Sequence, residues 1–191
     1  MFSPVRIVHG VTAAFAGMNE QELPNLQSMI SNGTVILLAE QNPRIATTLD
    51  NMRAVFRALR SAPQATRKLS RLHVHTLAYQ AIMTEKGSSW KNTMSAAAKA
   101  SLVAHRHTCG SQAIDLDKAK MLMDESFTSS KTDGQKIPLE MNRPVSCWTE
   151  FDNEVEVDVE ICIAPVLVCT DVKQTGGGGD NVSSAGLVLQ I

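Results

Sequence analysis

Apolar residues recur at helical intervals from Pro43 onward. Ile45, Leu49, Met52, Phe56 and Leu59 fall at steps of 4, 3, 4 and 3, which is one face of an α-helix of about five turns. Ser61-Ala62-Pro63 stops that run. Ala65, Leu69, Leu72, Thr76, Tyr79 and Met83 share one face of a second predicted helix over 64–85. Gly87-Ser88-Ser89 breaks it and offers Ser88 or Ser89 as the cap of a third helix over 90–106. Trp90, Met94, Ala97, Ser101 and Leu102 form the expected inner side of that helix, and the small run Ser95 to Ala98 would let a neighbour approach closely. Three amphipathic helices with short connections predict an antiparallel bundle.

The pattern is less regular elsewhere in the first two-thirds. Asn19 is a candidate cap for a short helix reaching Met29, and Thr34 to Ala39 reads as a buried strand or short helix after the Asn32-Gly33 turn. Residues 115–125 are expected to add a short helix and 128–134 a polar loop. The period then changes from 3.6 to 2. Val155, Val157, Val159, Ile161 and Ile163 alternate with Glu154, Glu156, Asp158, Glu160 and Cys162, the signature of a half-buried strand. Residues 145–151, 166–172 and 186–191 are further strand candidates, with Gly176 to Gly179 as a flexible loop before the last. The expected fold class is therefore α+β, an N-terminal basic helical bundle followed by a small acidic antiparallel β-sheet. Residues 1–126 form the mainly helical region, 138–191 the β-rich region, and 127–137 a connecting loop. One compact domain is the alternative to two.

Charge sharpens this division. Residues 1–110 carry 12 Lys and Arg against 5 Asp and Glu, whereas residues 111–191 carry 6 against 14. The overall net charge of −1 conceals the split. Arg53, Arg57 and Arg60 form one row on the first predicted helix. Arg67, Lys68 and Arg71 crowd the second, with His75 continuing the row. Lys91, Lys99 and Arg106 lie along one side of the third. No Asp or Glu interrupts the stretch between Asn51 and Thr84. A field of one sign costs self-repulsion that a bound anion relieves, so these nine cations are the candidate anion-binding residues. Aromatics make up only 4% of the chain, so stacking on unpaired bases is not indicated. Glu154, Glu156, Asp158 and Glu160 are the candidate self-association face, because complementary patches at opposite ends of a chain suit head-to-tail contacts. A charged protective edge, or pairing of the two halves within one molecule, would use the same charges.

Signatures of chemistry are sparse. Leu72-His73-Val74-His75 and His105-Arg106-His107-Thr108-Cys109 each contain His-x-His. On a helix, positions i and i+2 point about 200° apart, whereas on a strand they share a face. His105 and Cys109 could share a zinc ion, but no further ligands are evident. There is no Walker-type phosphate loop, no G-x-S-x-G and no H-E-x-x-H. The four glycines before Asp180 lack the strand–turn–helix setting that a dinucleotide site needs, and read as a flexible loop.

No run approaches the roughly 18–20 apolar residues of a membrane span. The first 18 residues lack the order of a signal peptide. An intracellular location is expected, cytoplasmic or within a virion, with Cys109, Cys147, Cys162 and Cys169 reduced. The function expected from sequence is a non-enzymatic, self-assembling structural protein of viral matrix, coat or nucleocapsid-associated type. Its basic face would lie on nucleic acid or an acidic membrane, with copies forming an oligomer or lattice. No cofactor and no small-molecule substrate are expected. The alternatives are a soluble adaptor for an acidic protein and a small zinc-dependent enzyme.

Overall fold

The computed structural model describes the backbone of residues 6–8 and 11–13, and residues 44–61 and 68–191 in full. The expected elements at Asn19 to Met29 and Thr34 to Ala39 lie outside the described residues.

Helix α1 spans Ile45–Arg60, and its 4-3-4-3 face is buried through Ile45, Leu49, Met52, Phe56 and Leu59. Arg57 and Arg60 occupy its last turn, where cations complement the negative end of the helix dipole. Among the described residues of the second predicted helix, 68–85, no helix forms. Its residues form strands β3 (Arg71–His75) and β4 (Tyr79–Glu85). The Thr76 hydroxyl closes the connection, accepting from the amides of Ala78 and Tyr79 and donating to the Tyr79 carbonyl. Helix α2 spans Thr93–Cys109, with Asn92 rather than Ser88 or Ser89 at its N-cap.

The strands assemble into one antiparallel sheet. β1 (Arg6–Val8) pairs with β2 (Val11–Ala13), and the order is β1-β2-β3-β4-β9-β8, where β8 is Ser146–Asp152 and β9 is Val157–Pro165. β4 from the basic half sits directly against β9 from the acidic half, with Ala81 opposite Ile163. This is the correction to the expected fold class. Among the described residues there is no N-terminal helical bundle, and the sheet runs through both halves of the chain. Two small ribbons complete it. β5 (Ala119–Met121) pairs with β10 (Leu167–Cys169), and β6 (Ser126–Thr128) pairs with β7 (Lys136–Pro138). The second of these takes the two ends of the expected 127–137 loop into strands and leaves 129–135 as its connection.

Three layers result. On one face of the sheet α1 packs against Leu72, Val74, Ala81, Met83, Ile161 and Ile163. On the other, Ala96 and Ala97 of α2 lie on Ile82, Cys162 and Ala164. Helix α3, Gly178–Val188, shares that second face with α2. It replaces the strand expected at 186–191. The four cysteines are paired, Cys109 with Cys169 and Cys147 with Cys162, rather than reduced. Cys147 and Cys162 stand opposite each other in the β8–β9 register. Among the described residues no helix is long and apolar enough to cross a membrane.

Candidate active site

The glycine run is the entrance to a helix. β10 ends at Cys169, residues 170–176 cross to Gly177, and α3 begins at Gly178. This corrects the expected flexible loop: a strand–turn–helix setting is present, and Gly178 and Gly179 belong to the helix. Gly177 is the N-cap at φ 71°, ψ 5°, a left-handed conformation that costs other residues about 1–2 kcal/mol. No side chain caps the helix. The Gly178 amide is used on the Thr175 carbonyl at 3.2 Å. Those of Gly179 and Asp180 remain among the amides an α-helix leaves over at its start. Gly178 and Gly179 are half-buried and Asp180 is exposed in the first turn. The Gly179 and Asp180 amides and the positive end of a helix dipole therefore lie beside one carboxylate, an arrangement able to hold a phosphate next to a proton acceptor.

The last turn of α2 supports this turn from one side. The Thr108 carbonyl accepts from the amides of Lys173 and Gln174 at 2.8 and 3.3 Å. The His107 imidazole lies 2.8 Å from the Gly176 carbonyl through Nε2, and 3.1 Å from the Gln174 side-chain amide through Nδ1. The Cys109–Cys169 disulfide ties the same turn of α2 to the end of β10.

Strand β3 lies beneath α3. Arg71, His73 and His75 alternate along it and share its α3 face, and the two histidine rings are 5.8 Å apart. The Arg71 Nε donates to the Gln190 side-chain carbonyl at 2.6 Å, just beyond the C-terminal end of α3. An added Cβ on Gly186 would reach the His73 ring, so that glycine allows the helix to lie close. His75 is near the opposite end of the helix, within the electrostatic reach of Asp180. Burial pushes the His75 imidazole below its ordinary value, and Asp180 opposes that shift. A second concavity of about 780 Å³ opens beside the start of α1, lined by Arg44, Tyr79, Met123, Phe127, Lys131 and Lys136 among others. It has no glycine turn.

Three of the nine cations nominated from sequence, Arg53, Arg57 and Arg60, have found carboxylates within the molecule. Arg53 clasps Glu150 with two bonds of 2.6 and 2.9 Å and also reaches Asp50 and the Ser129 carbonyl. Arg57 bridges Asp152 and Glu154, and Arg60 bridges to Glu85. Arg71 is fully buried. Lys68, Lys91 and Lys99 are exposed and Arg106 is half-buried. Arg67 lies outside the described residues. The row of four acids is not one strand face: Glu154 and Glu156 sit in the β8–β9 turn, Glu156 at φ 54°, and only Asp158 and Glu160 lie on β9. His105 and Cys109 do not form a zinc pair, because Cys109 is in a disulfide and His105 Nδ1 donates to the Leu167 carbonyl at 2.6 Å. Sequence reasoning notes the motifs that contain His107 and Asp180 but gives neither residue a role. The available signal was the Gly-Gly-Asp step followed by residues compatible with a helix.

Comparison with known proteins bears on the same region. Residues 6–189 match the family described as "ADP-specific Phosphofructokinase/Glucokinase conserved region". The chain is also 32% identical over 174 residues to an ADP-dependent glucokinase of Bos taurus, an alignment covering 90% of this chain and 33% of that protein. The chain thus spans about a third of the length of that curated relative. These matches overturn the expected non-enzymatic, viral matrix-like or coat-like assembly protein. The expected partners, nucleic acid or an acidic membrane with no small-molecule substrate, fall with it, because both matches are to enzymes named for small molecules.

Proposed function

Because the chain belongs to the ADP-specific phosphofructokinase/glucokinase family, we propose that it carries the phosphoryl-transfer region of an ADP-dependent sugar kinase, with the turn into α3 as the phosphate cradle. The observation that supports this most is the uncapped, glycine-led start of α3 with Asp180 in its first turn. Phosphoryl transfer needs little covalent help from protein groups, so catalysis rests on positioning and charge stabilisation. The Gly179 and Asp180 amides and the helix dipole offset charge on the transferring group. Asp180 accepts the proton of the attacking sugar hydroxyl as that oxygen bonds to the β-phosphorus of ADP. The bond from that phosphorus to the bridging oxygen breaks, leaving AMP and a sugar phosphate. His75 is held neutral beneath the turn by burial, so it adds no second positive charge to compete for Asp180.

The test is ADP binding and transfer to glucose or fructose 6-phosphate, followed by 31P NMR. Asp180→Asn is expected to keep ADP binding and to slow transfer by about 10²–10⁴-fold. A variant that transfers at the original rate would remove Asp180 from this role, and a chain that does not bind ADP would refute the kinase reading.

The two disulfides support an oxidising compartment rather than the reducing cytosol. Thiol titration of the protein denatured without reductant or alkylating agent is expected to find no free thiol. Four free thiols would return the chain to a reducing location.

A further inference from the structure

His107 is the side chain of α2 that holds the turn's backbone. Its two partners fix the tautomer. The Gln174 side chain reaches Nδ1 with its amide nitrogen at 3.1 Å, a donor, so Nδ1 accepts. The Gly176 carbonyl can only accept, so Nε2 at 2.8 Å carries the proton and donates. The ring also lies under the next residues, since a Cβ on Gly178 would sit 3.5 Å from His107 Cδ2. Gly176 and Gly177 have no side chain to limit their peptide planes and would otherwise rotate readily. A carbonyl turned toward a bound phosphate repels it, whereas an amide attracts it.

We propose that His107 is a positioning residue for the phosphate turn: by engaging the Gly176 carbonyl it turns that oxygen toward α2 and leaves the amides that follow facing the diphosphate of a nucleoside diphosphate. The inference rests on the kinase reading for the identity of the ligand, but not for the anchoring itself. The surrounding bonds explain why one imidazole is enough. Lys173 and Gln174 are already docked on Thr108, and the disulfide holds Cys169 against Cys109. Gly176 is the link between that docked segment and the helix.

The experiment compares the full chain with His107→Ala and His107→Gln. Amide hydrogen exchange of Gly178 and Asn181, whose amides are bonded to the Thr175 and Gly177 carbonyls, is read without ligand, and ADP affinity is read by calorimetry. His107→Ala should speed exchange at these amides by about tenfold and weaken ADP by about tenfold, the effect of losing about 1.4 kcal/mol of positioning. Glutamine should restore most of both, since its amide can still donate to the Gly176 carbonyl. The thermal midpoint should change little. Exchange and affinity both within about twofold of the original protein would overturn the inference. Faster exchange in a chain that never binds ADP would support the anchor and overturn the kinase reading instead.

Discussion

His73 is fully buried on β3 between Arg71 and His75. Burial holds its imidazole well below the ordinary value, the neighbouring Arg71 and His75 lower it further, and the Gln80 hydrogen bond opposes them. His75 is lowered as well, chiefly by burial. In the unfolded chain both would titrate near about 6.5. Below that value the unfolded state binds more protons, so folding stability is complete above it and is lost as pH falls toward the depressed folded values. Thermal scans should show a falling midpoint from about pH 7 to pH 5, and His73→Gln should flatten that slope. A midpoint independent of pH would contradict a neutral, buried His73. The same imidazole makes Gly186 specific. A methyl there would lie 3.1 Å from His73 Cε1 and 3.2 Å from its Nδ1. Gly186→Ala should therefore cost about 1–3 kcal/mol by overpacking, opposite in sign to the gain alanine brings to an unobstructed helix. Denaturant unfolding measures the difference.

Among elements, α1 is fastened to the edge of the sheet by charge as well as by its apolar face. Arg53 reaches Glu150 on β8, and Arg57 reaches Asp152 at the end of that strand. A double-mutant cycle on Arg53 and Glu150 should give a coupling of about 1–3 kcal/mol, above that of an open surface pair because the contact is bidentate and partly buried. No coupling would reduce the row to surface decoration. The row itself was legible in the sequence at steps of 4 and 3, as was the helix that displays it. The partners were not, because pairing of α1 with β8 depends on the tertiary fold. The helix expected over 64–85 shows a different limit. β3 and β4 are central strands buried on both faces, so the alternation that marks a one-sided strand is missing. Leu69, Leu72, Tyr79 and Met83 then satisfy a helical period by coincidence. Asp158, exposed, and Glu160, half-buried, preserve the alternation in the first half of β9, and that strand could be read directly. Gly186 to Ile191 is a short apolar run whose period cannot separate strand from helix.

At the scale of the molecule, the disulfides join parts that are far apart and parts that are adjacent. Cys109 and Cys169 close a loop with sequence separation 60, and Cys147 and Cys162 one of 15. On chain-entropy grounds the first contributes about 4 kcal/mol and the second about 3 kcal/mol. Reduction should lower the thermal midpoint. Cys109→Ser with Cys169→Ser should lose more than Cys147→Ser with Cys162→Ser, and the reverse order would show that local packing outweighs loop closure. The overall charge division was visible in the sequence, but its use was not. The basic and acidic halves meet inside one molecule, and the glycine turn acquires meaning only once β10 precedes it and α3 follows.

The pairing of β4 with β9 has a consequence for synthesis. Strand β4 ends at Glu85 and its partner begins at Val157, so everything from Lys86 to Glu156 must emerge from the ribosome before the centre of the sheet can close. Until then the nascent chain carries β3 and β4 with apolar faces and an open hydrogen-bonding edge, a state prone to association with other chains. The stretch that relieves this exposure, Val157 to Gln190, also carries β10, the glycine turn and α3. A stalled or truncated product lacking it loses the sheet's centre and the proposed phosphate cradle together, so incomplete chains are expected to become substrates for chaperones and proteases.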